Sequence, residues 1–252
     1  MNSSRVMAAL LILGPAVLAQ DVQNLKDPRL IMEEVQRRQN ATSQHYEGTL
    51  EVVGAGNKIT TKRWSFDRIG SSGASKAVIR FSVPAEVKGV ALLIVNHPDR
   101  ASDQWIWRPA IGREQRISLQ DRSTRFFGTD FSFEDLEERD IGQYTFELAG
   151  DSATAWTIKA LPKKSSQYTY SLFSIAKDRV VITKAELYNK KGLTRVIDYR
   201  DFAQTKGIWT PRTTEATDME RNSRTILKYD RLDLNIPMKD SDFTVDALRR
   251  AS

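Results

Sequence analysis

Apolar positions along this chain recur at two spacings, and the change between them divides it. Leu30, Ile31 and Val35, with Glu and Arg residues between them, form an amphipathic segment of helical period. Asp27 precedes it as a cap and Pro28 takes the first helical position, so a helix is predicted from there to about Gln39. From His45 the period is two. His45 to Val53 and Lys58 to Ile69 read as strands, turned at Gly54 to Asn57, with Trp64 and Phe66 on one face and Arg63 and Asp67 on the other. Ala77, Ile79, Phe81 and Val83 share a face opposite Lys76 and Arg80. Val90 to Val95 is apolar throughout, which predicts a strand covered on both faces. Asp103 to Arg108 puts Trp105 and Trp107 on one face, and Arg113 to Leu119 is a further short strand.

Asp130 to Glu138 interrupts the alternation and reads as a short helix or an ordered loop. Strands resume at Tyr144, Phe146 and Leu148, then Trp156 and Ile158, Gln167 to Ala176 and Val180 to Tyr188. Asn189 to Gly192 is a hairpin signal; Leu193 to Phe202, Trp209 to Thr217 and Thr225 to Leu234 follow. Asp242 or Thr244 would cap a short C-terminal helix ending near Arg250. About ten to twelve antiparallel strands in sequence order, with few helices, predict a mainly β barrel or curved sheet.

The first residues alter the address rather than the fold. Arg5 supplies one positive charge, an apolar run extends from Val6 to Leu13, and Gly14-Pro15 breaks it. Val17 and Ala19 suit a signal-peptidase site, so residues 1–19 read as a cleaved export signal. The run is shorter than the roughly 20 apolar residues a membrane span needs. Residues 20–252 are then ample for one core. The 252-residue chain has no cysteine, hence no disulfide, no thiol chemistry and no acceptor for an N-terminal lipid; Gln20 stands where that cysteine would be. The net charge of +6 favours anionic partners, which after export means lipid head groups or an acidic protein face rather than nucleic acid.

Catalytic signatures are sparse. His45 and His97 are the only histidines and no HExxH is present, which argues against a zinc site. There is no G-x-S-x-G elbow, and Gly54-Ala55-Gly56 precedes a strand and lacks a third glycine. Asn40-Ala41-Thr42 matches a glycosylation sequon, a pattern common by chance. Asp130, Glu134, Asp135, Glu137 and Glu138 form an acidic cluster after Arg108, Arg113, Arg116, Arg122 and Arg125. Carboxylate pairs can run acid–base chemistry, but so many beside arginines read first as an ion-paired surface. Aromatic residues crowd the first half, and a curved sheet with few helices has a hollow that helices or an acyl chain would fill.

The segment 81–136 carries a resemblance. Phe81, Pro84, Lys88 and Gly89 resemble the "F…P…KG" segment of the bacterial outer-membrane lipoprotein-sorting family, within the LolA-like periplasmic carrier superfamily. Asp103, Trp105, Trp107, Pro109 and Ala110 resemble its "D-x-W-x-Y-x-P-A" strand, and Arg113 to Ile117 the "R-x-x-R-I" that follows. Phe127 to Leu136 is similar to "F-x-G-S/T-D-F-T/S-Y-E-D". Weaker matches are Pro162-Lys163 with Tyr168, and Asp242-Phe243-Thr244 with Leu248. Trp107 stands where Tyr is commoner and Phe127 where Met is common; both keep an apolar contact.

The resemblance implies an incomplete antiparallel β-barrel, LolA/LolB-like, whose hollow is covered by helices, with residues 20–252 as one domain. It implies a non-enzymatic periplasmic carrier that shields acyl chains of a lipid or lipoprotein, without cofactor or metal, expected to be a monomer. Trp64, Phe66, Phe81, Leu92, Ile94, Trp105, Trp107, Phe127, Phe131 and Phe133 are the candidate lining. Arg113 and Arg116 are the candidate contacts for a head group or partner. Related domains act as sensors, so the alternative is an adaptor that docks on an envelope regulator or an inner-membrane exporter.

Overall fold

A computed structural model describes residues 22–138 and 140–250. The export signal read over residues 1–19 lies outside the described residues. Helix α1 (Pro28–Arg38) forms as its sequence predicts: Asp27 Oδ1 accepts from the backbone N–H of Arg29 and Leu30 at 2.8 and 3.3 Å. Glu34 accepts from Arg37 and Arg38, which hold its carboxyl down at about 2 despite the cost of burial. Ile31, Met32 and Val35 are buried along one stripe.

Six strands make a first arm: β1 (Ser43–Val53), β2 (Ile59–Ser71), β3 (Ala74–Val83), β4 (Ala91–Val95), β5 (Asp103–Arg108) and β6 (Arg113–Arg116). The second arm comprises β7 (Tyr144–Asp151), β8 (Ala155–Pro162), β9 (Tyr170–Ala176), β10 (Val181–Asn189), β11 (Gly192–Arg200), β14 (Thr213–Asp218) and β15 (Ser223–Leu234). The short β12 (Ala203–Thr205) and β13 (Ile208–Thr210) pair only with each other. Pro211, which lacks an N–H, separates β13 from β14, so the predicted single strand from Trp209 to Thr217 is two.

The large sheet has 13 antiparallel strands in the order β6-β5-β4-β3-β2-β1-β15-β14-β11-β10-β9-β8-β7, and it is not closed into a barrel. Each arm is a meander in sequence order, apart from the small hairpin. The join is not: β1 and β15 pair in the middle, and β6 and β7 are left at opposite edges. At that central pairing the register shifts beside Gly48, where a Cβ would stand 1.9 Å from the Lys228 carbonyl oxygen. A side chain there would push the two arms apart.

The connection from β6 to β7, residues 117–143, returns along the inner face. Phe131 packs with β10, β11 and β14, whereas Phe126 and Phe133 pack with β2 to β5. One short segment touches both arms because a sheet this long curls. The hollow is therefore covered by one helix and an irregular aromatic segment, a correction to the expected cover of helices. Helix α1 covers the β7–β10 end over Trp156, Ile158 and Ile175. The C-terminal segment makes 3-10 turns rather than an α-helix, and Thr244 Oγ1 accepts from Ala247 N–H at 3.2 Å. It packs Phe243 and Leu248 on the outer face of β3 to β5 and is tied there by Arg80. Leu92 and Ile94 point inward while Ala91 and Leu93 point to that segment, so β4 is covered on both faces as predicted.

His45 lies on β1 with Nδ1 2.7 Å from Asp67 and Nε2 2.9 Å from Glu47, which also faces Arg231 at 3.8 Å. Burial opposes the charged ring, but the two carboxylates outweigh it and raise the His45 pKa. The stability it contributes is complete below the unfolded value of about 6.5 and is lost as pH rises through the higher folded value. His45→Gln should flatten the urea-midpoint profile in that window. An unchanged slope would show that the contact contributes nothing.

Candidate functional site

The inner face is built around five carboxylates that fix the β6–β7 connection. Asp130 is fully buried; its carboxylate accepts from Arg125 (2.8 Å), Ser223 (2.6 Å) and Thr225 (2.8 Å). Arg125 also pairs with Asp218 on β14. Asp135 takes Arg195, Tyr168 Oη (2.6 Å) and Ser132 Oγ (2.7 Å). Burial and the neighbouring Asp135 charge push the Tyr168 phenol far up, so it stays a donor. Arg122 grips Glu137 through two nitrogens at 2.6 and 2.5 Å, with side-chain exposures of 8% and 1%. Glu138 takes Arg68 and Ser75, and Glu134 takes Ser166 Oγ and Gln167 N–H. The cluster is ion-paired as the sequence suggested, yet it is buried rather than solvated. Arg122 and Arg125 come from the arginine run beside it; Arg68 and Arg195 arrive from β2 and β11.

Under this clamp lies an apolar cavity of about 170 Å³. Trp64, Phe66, Phe81 and Phe131 line it, with Tyr46, Leu50, Ile79, Phe126, Leu136, Leu227 and Tyr229. Tyr46 stacks on Phe66 at 5.5 Å, and Tyr229 meets both Tyr46 and Trp64 edge-on. The indole Nε1 of Trp64 is buried without a hydrogen-bond partner. A second, larger cleft of about 460 Å³ shares Tyr46, Phe66 and Leu136 with it and runs on between α1 and the β12–β13 hairpin. Polar groups from Gln36, Gln39 and Asn96 join its wall.

The candidate residues fall into three groups. Trp64, Phe66, Phe81 and Phe131 line the cavity. Leu92, Ile94, Phe127 and Phe133 belong to the same inner cluster but support that lining from behind or beside it. Trp105 and Trp107 face the other way, against Phe243 and Leu248. On β5 the inward positions are Gln104 and Ile106, so the tryptophan pair, one residue out of phase, must point outward.

The two candidate cations separate similarly. Arg116 is opposite Trp105, pairs with Asp103 at 2.5 Å and lies over the indole; it is on the outer face. Arg100, ahead of the burial cost, and Arg116 and His97 together hold Asp103 well below the usual carboxylate range. Arg113 is opposite Arg108, whose guanidinium lies 5.7 Å from the Phe127 ring on the inner face. Sequence reasoning missed Tyr46, Leu50 and Tyr229 because the central pairing of β1 with β15 brings them in. Their period-two spacing was visible, but not which strands would be neighbours. Among the described residues no group of His, Asp and Glu is placed to hold a metal, and no helix is long and apolar enough to cross a membrane.

A family model described as "Uncharacterized protein" matches residues 73–250, which include the aromatic segment with its five carboxylates and the whole second arm. The chain belongs to that family. Its fold is the LolA-like lipoprotein-sorting fold that the resemblance implied. A crystal structure described as an outer membrane lipoprotein-sorting protein domain from Vibrio parahaemolyticus matches with a TM-score of 0.84 at 24% identity, over 88% of this chain and 98% of that one. A DUF1329 family protein from Desulfovibrio piger matches at 0.83 and 22% identity, over 88% and 100%. A LolA superfamily protein from Nitrosomonas europaea matches at 0.72 and 19%, over 88% and 100%. No curated protein matches the chain.

Removing one partner of a buried pair strands the other charge. Arg195→Met should therefore lower unfolding free energy by about 3–5 kcal/mol in urea titrations. The exposed Arg231→Met should change it by less than about 1 kcal/mol. Equal effects would mean that the buried pair does not fix the connection.

Proposed function

We propose that residues 20–252 form an exported, periplasmic carrier domain that shields acyl chains of a lipid or lipoprotein within the hollow of the curled sheet. The observation that carries this reading is the aromatic-lined cavity on the inner face, joined to a larger cleft beneath α1. Transfer of each methylene from water into such a site is worth about 0.8 kcal/mol, so affinity for a chain needs apolar area and no reactive group. The acidic cluster supports a binding role rather than catalysis: its carboxylates are committed to arginines, hydroxyls and backbone N–H groups of the fold. The cleft of about 460 Å³ is in the range of small-molecule sites and is the space for most of a chain, the smaller cavity taking its end.

Native mass spectrometry of protein isolated from a bacterial envelope should show a lipid adduct, and the emptied protein should take up a fluorescent fatty-acid probe. Ile79→Trp, which fills the smaller cavity, should weaken probe binding by about tenfold while costing about 1–3 kcal/mol of stability. A protein that is always empty and takes up no acyl probe would overturn the carrier reading. A stoichiometric inner-membrane partner without lipid in crosslinking experiments would replace it with the adaptor.

A further inference from the structure

Several cations of the first arm, and of the connection that follows it, are matched to acids. Arg68 meets Glu138, Arg122 meets Glu137, Arg125 meets Asp130 and Arg116 meets Asp103. Arg63 faces Asp230 at 3.1 Å, and Glu114 pairs with Arg249 at 2.6 Å on the outer side. Around Phe127 the pattern stops.

Lys62 is opposite Leu50 in the β1–β2 register, so its side chain enters the inner face two residues from Trp64. Residue exposure is 7%, and its ammonium has no hydrogen-bond or ion-pair partner among the described residues. Desolvation alone lowers its pKa; no neighbouring carboxylate offsets it. Arg108, three strands away, covers the Phe127 ring, and its Nε is buried without a partner. Arg113 stands opposite Arg108, also without an ion pair among the described residues. A cation drawn out of water with no acid beside it is less favourable than Met or Leu at the same position. Lys62 is partly desolvated with no acid beside it, and the Arg108 guanidinium lies on Phe127, which packs against the cavity-lining Phe81 and Phe126.

The backbone leaves room there. Phe127 and Gly128 both have left-handed φ, 46° and 75°, and a Cβ added to Gly128 would meet nothing within 4 Å. Val83 and Ile111, at the same end of the sheet, are 46% and 52% exposed. Trp64, two residues along β2 from Lys62, lines the cavity and has an unpartnered Nε1–H, a donor suited to an ester carbonyl.

We propose that this end of the inner face binds the phosphate-type anionic head group of an acyl-bearing ligand, with Lys62, Arg108 and Arg113 as its cationic contacts and the chain running past Trp64 into the aromatic cavity. The proposal rests on the carrier reading and specifies its ligand as an anionic amphiphile rather than a neutral one. Arg116, on the outer face, takes no part.

Titration calorimetry with octyl phosphate, octanol and inorganic phosphate separates the contributions. Octyl phosphate should bind at least about tenfold more tightly than either of the others, as charge-assisted hydrogen bonds to a desolvated cation require. Lys62→Met and Arg113→Gln should each erase most of that preference. Lys62→Met should also unfold no earlier in urea than the parent, which keeps misfolding from imitating the result. Arg249→Gln, on the outer face, should retain the preference. Equal binding of octanol and octyl phosphate would overturn the head-group assignment and leave the carrier reading standing. Inorganic phosphate binding as tightly as octyl phosphate would make this a free-anion site and also overturn it. If neither alkyl ligand binds, the carrier reading falls, and the head-group site with it.

Discussion

The buried pairing of carboxylates on residues 130–138 with arginines from several strands governs the rest of the molecule. An open sheet of 13 strands has no intrinsic reason to keep one curvature. Here one connection is held to β2 through Arg68, to β11 through Arg195, and to β14 and β15 through Asp130 and its partners. These ties span the middle of the sheet and fix how far the two arms curl toward each other. Buried ion pairs are poor sources of net stability compared with apolar packing, but breaking one is costly. Their use here suits a segment that must have one position rather than merely be buried.

That position sets the interior volume. Phe126, Phe131 and Phe133 hang from the clamped segment and occupy much of the hollow, leaving the small aromatic cavity beneath them. The segment is thus both lining and spacer. Its acids cannot be exchanged for neutral residues without freeing the aromatics, because Asp130, Glu134 and Asp135 flank Phe131 and Phe133 directly in the chain.

Much of the architecture was legible in the chain. Period-two runs located the strands, Asp27-Pro28 opened α1, and the unbroken apolar run at Val90 to Val95 correctly indicated a doubly covered strand. The aromatic lining was half legible. Trp64, Phe66 and Phe81 announce one face within a hairpin, since local register relates β2 to β3. Trp105 and Trp107 carry an equally strong pattern but occupy the opposite face, and nothing local to β5 says which face is inner. Tyr46 and Tyr229 meet only because the first and last strands pair, a contact between residues far apart in the chain. The clamp was hidden for the same reason: neighbouring arginines suggested local neutralisation, whereas Arg68 and Arg195 come from other strands.

The two covers of the hollow are held by different physics, and this bears on where the proposed acyl chain would enter. The aromatic segment is pinned by ion pairs almost wholly withdrawn from water, so displacing it would leave several charges unmatched at once. Helix α1 is held mainly by apolar contacts with Trp156, Ile158 and Ile175. Its own ion pairs, Arg29 with Glu33 and Glu34 with Arg37 and Arg38, are internal and would move with it. Polar ties from its end of the chain to the sheet include Arg38 to the Arg179 carbonyl at 3.3 Å and Trp156 to the Leu25 carbonyl at 3.1 Å. An acyl chain that covered the same sheet surface would replace those apolar contacts in kind, which it could not do for the clamp. The α1 side of the larger cleft is therefore the energetically cheaper wall to open, and the phenylalanine segment the fixed floor against which a chain would lie.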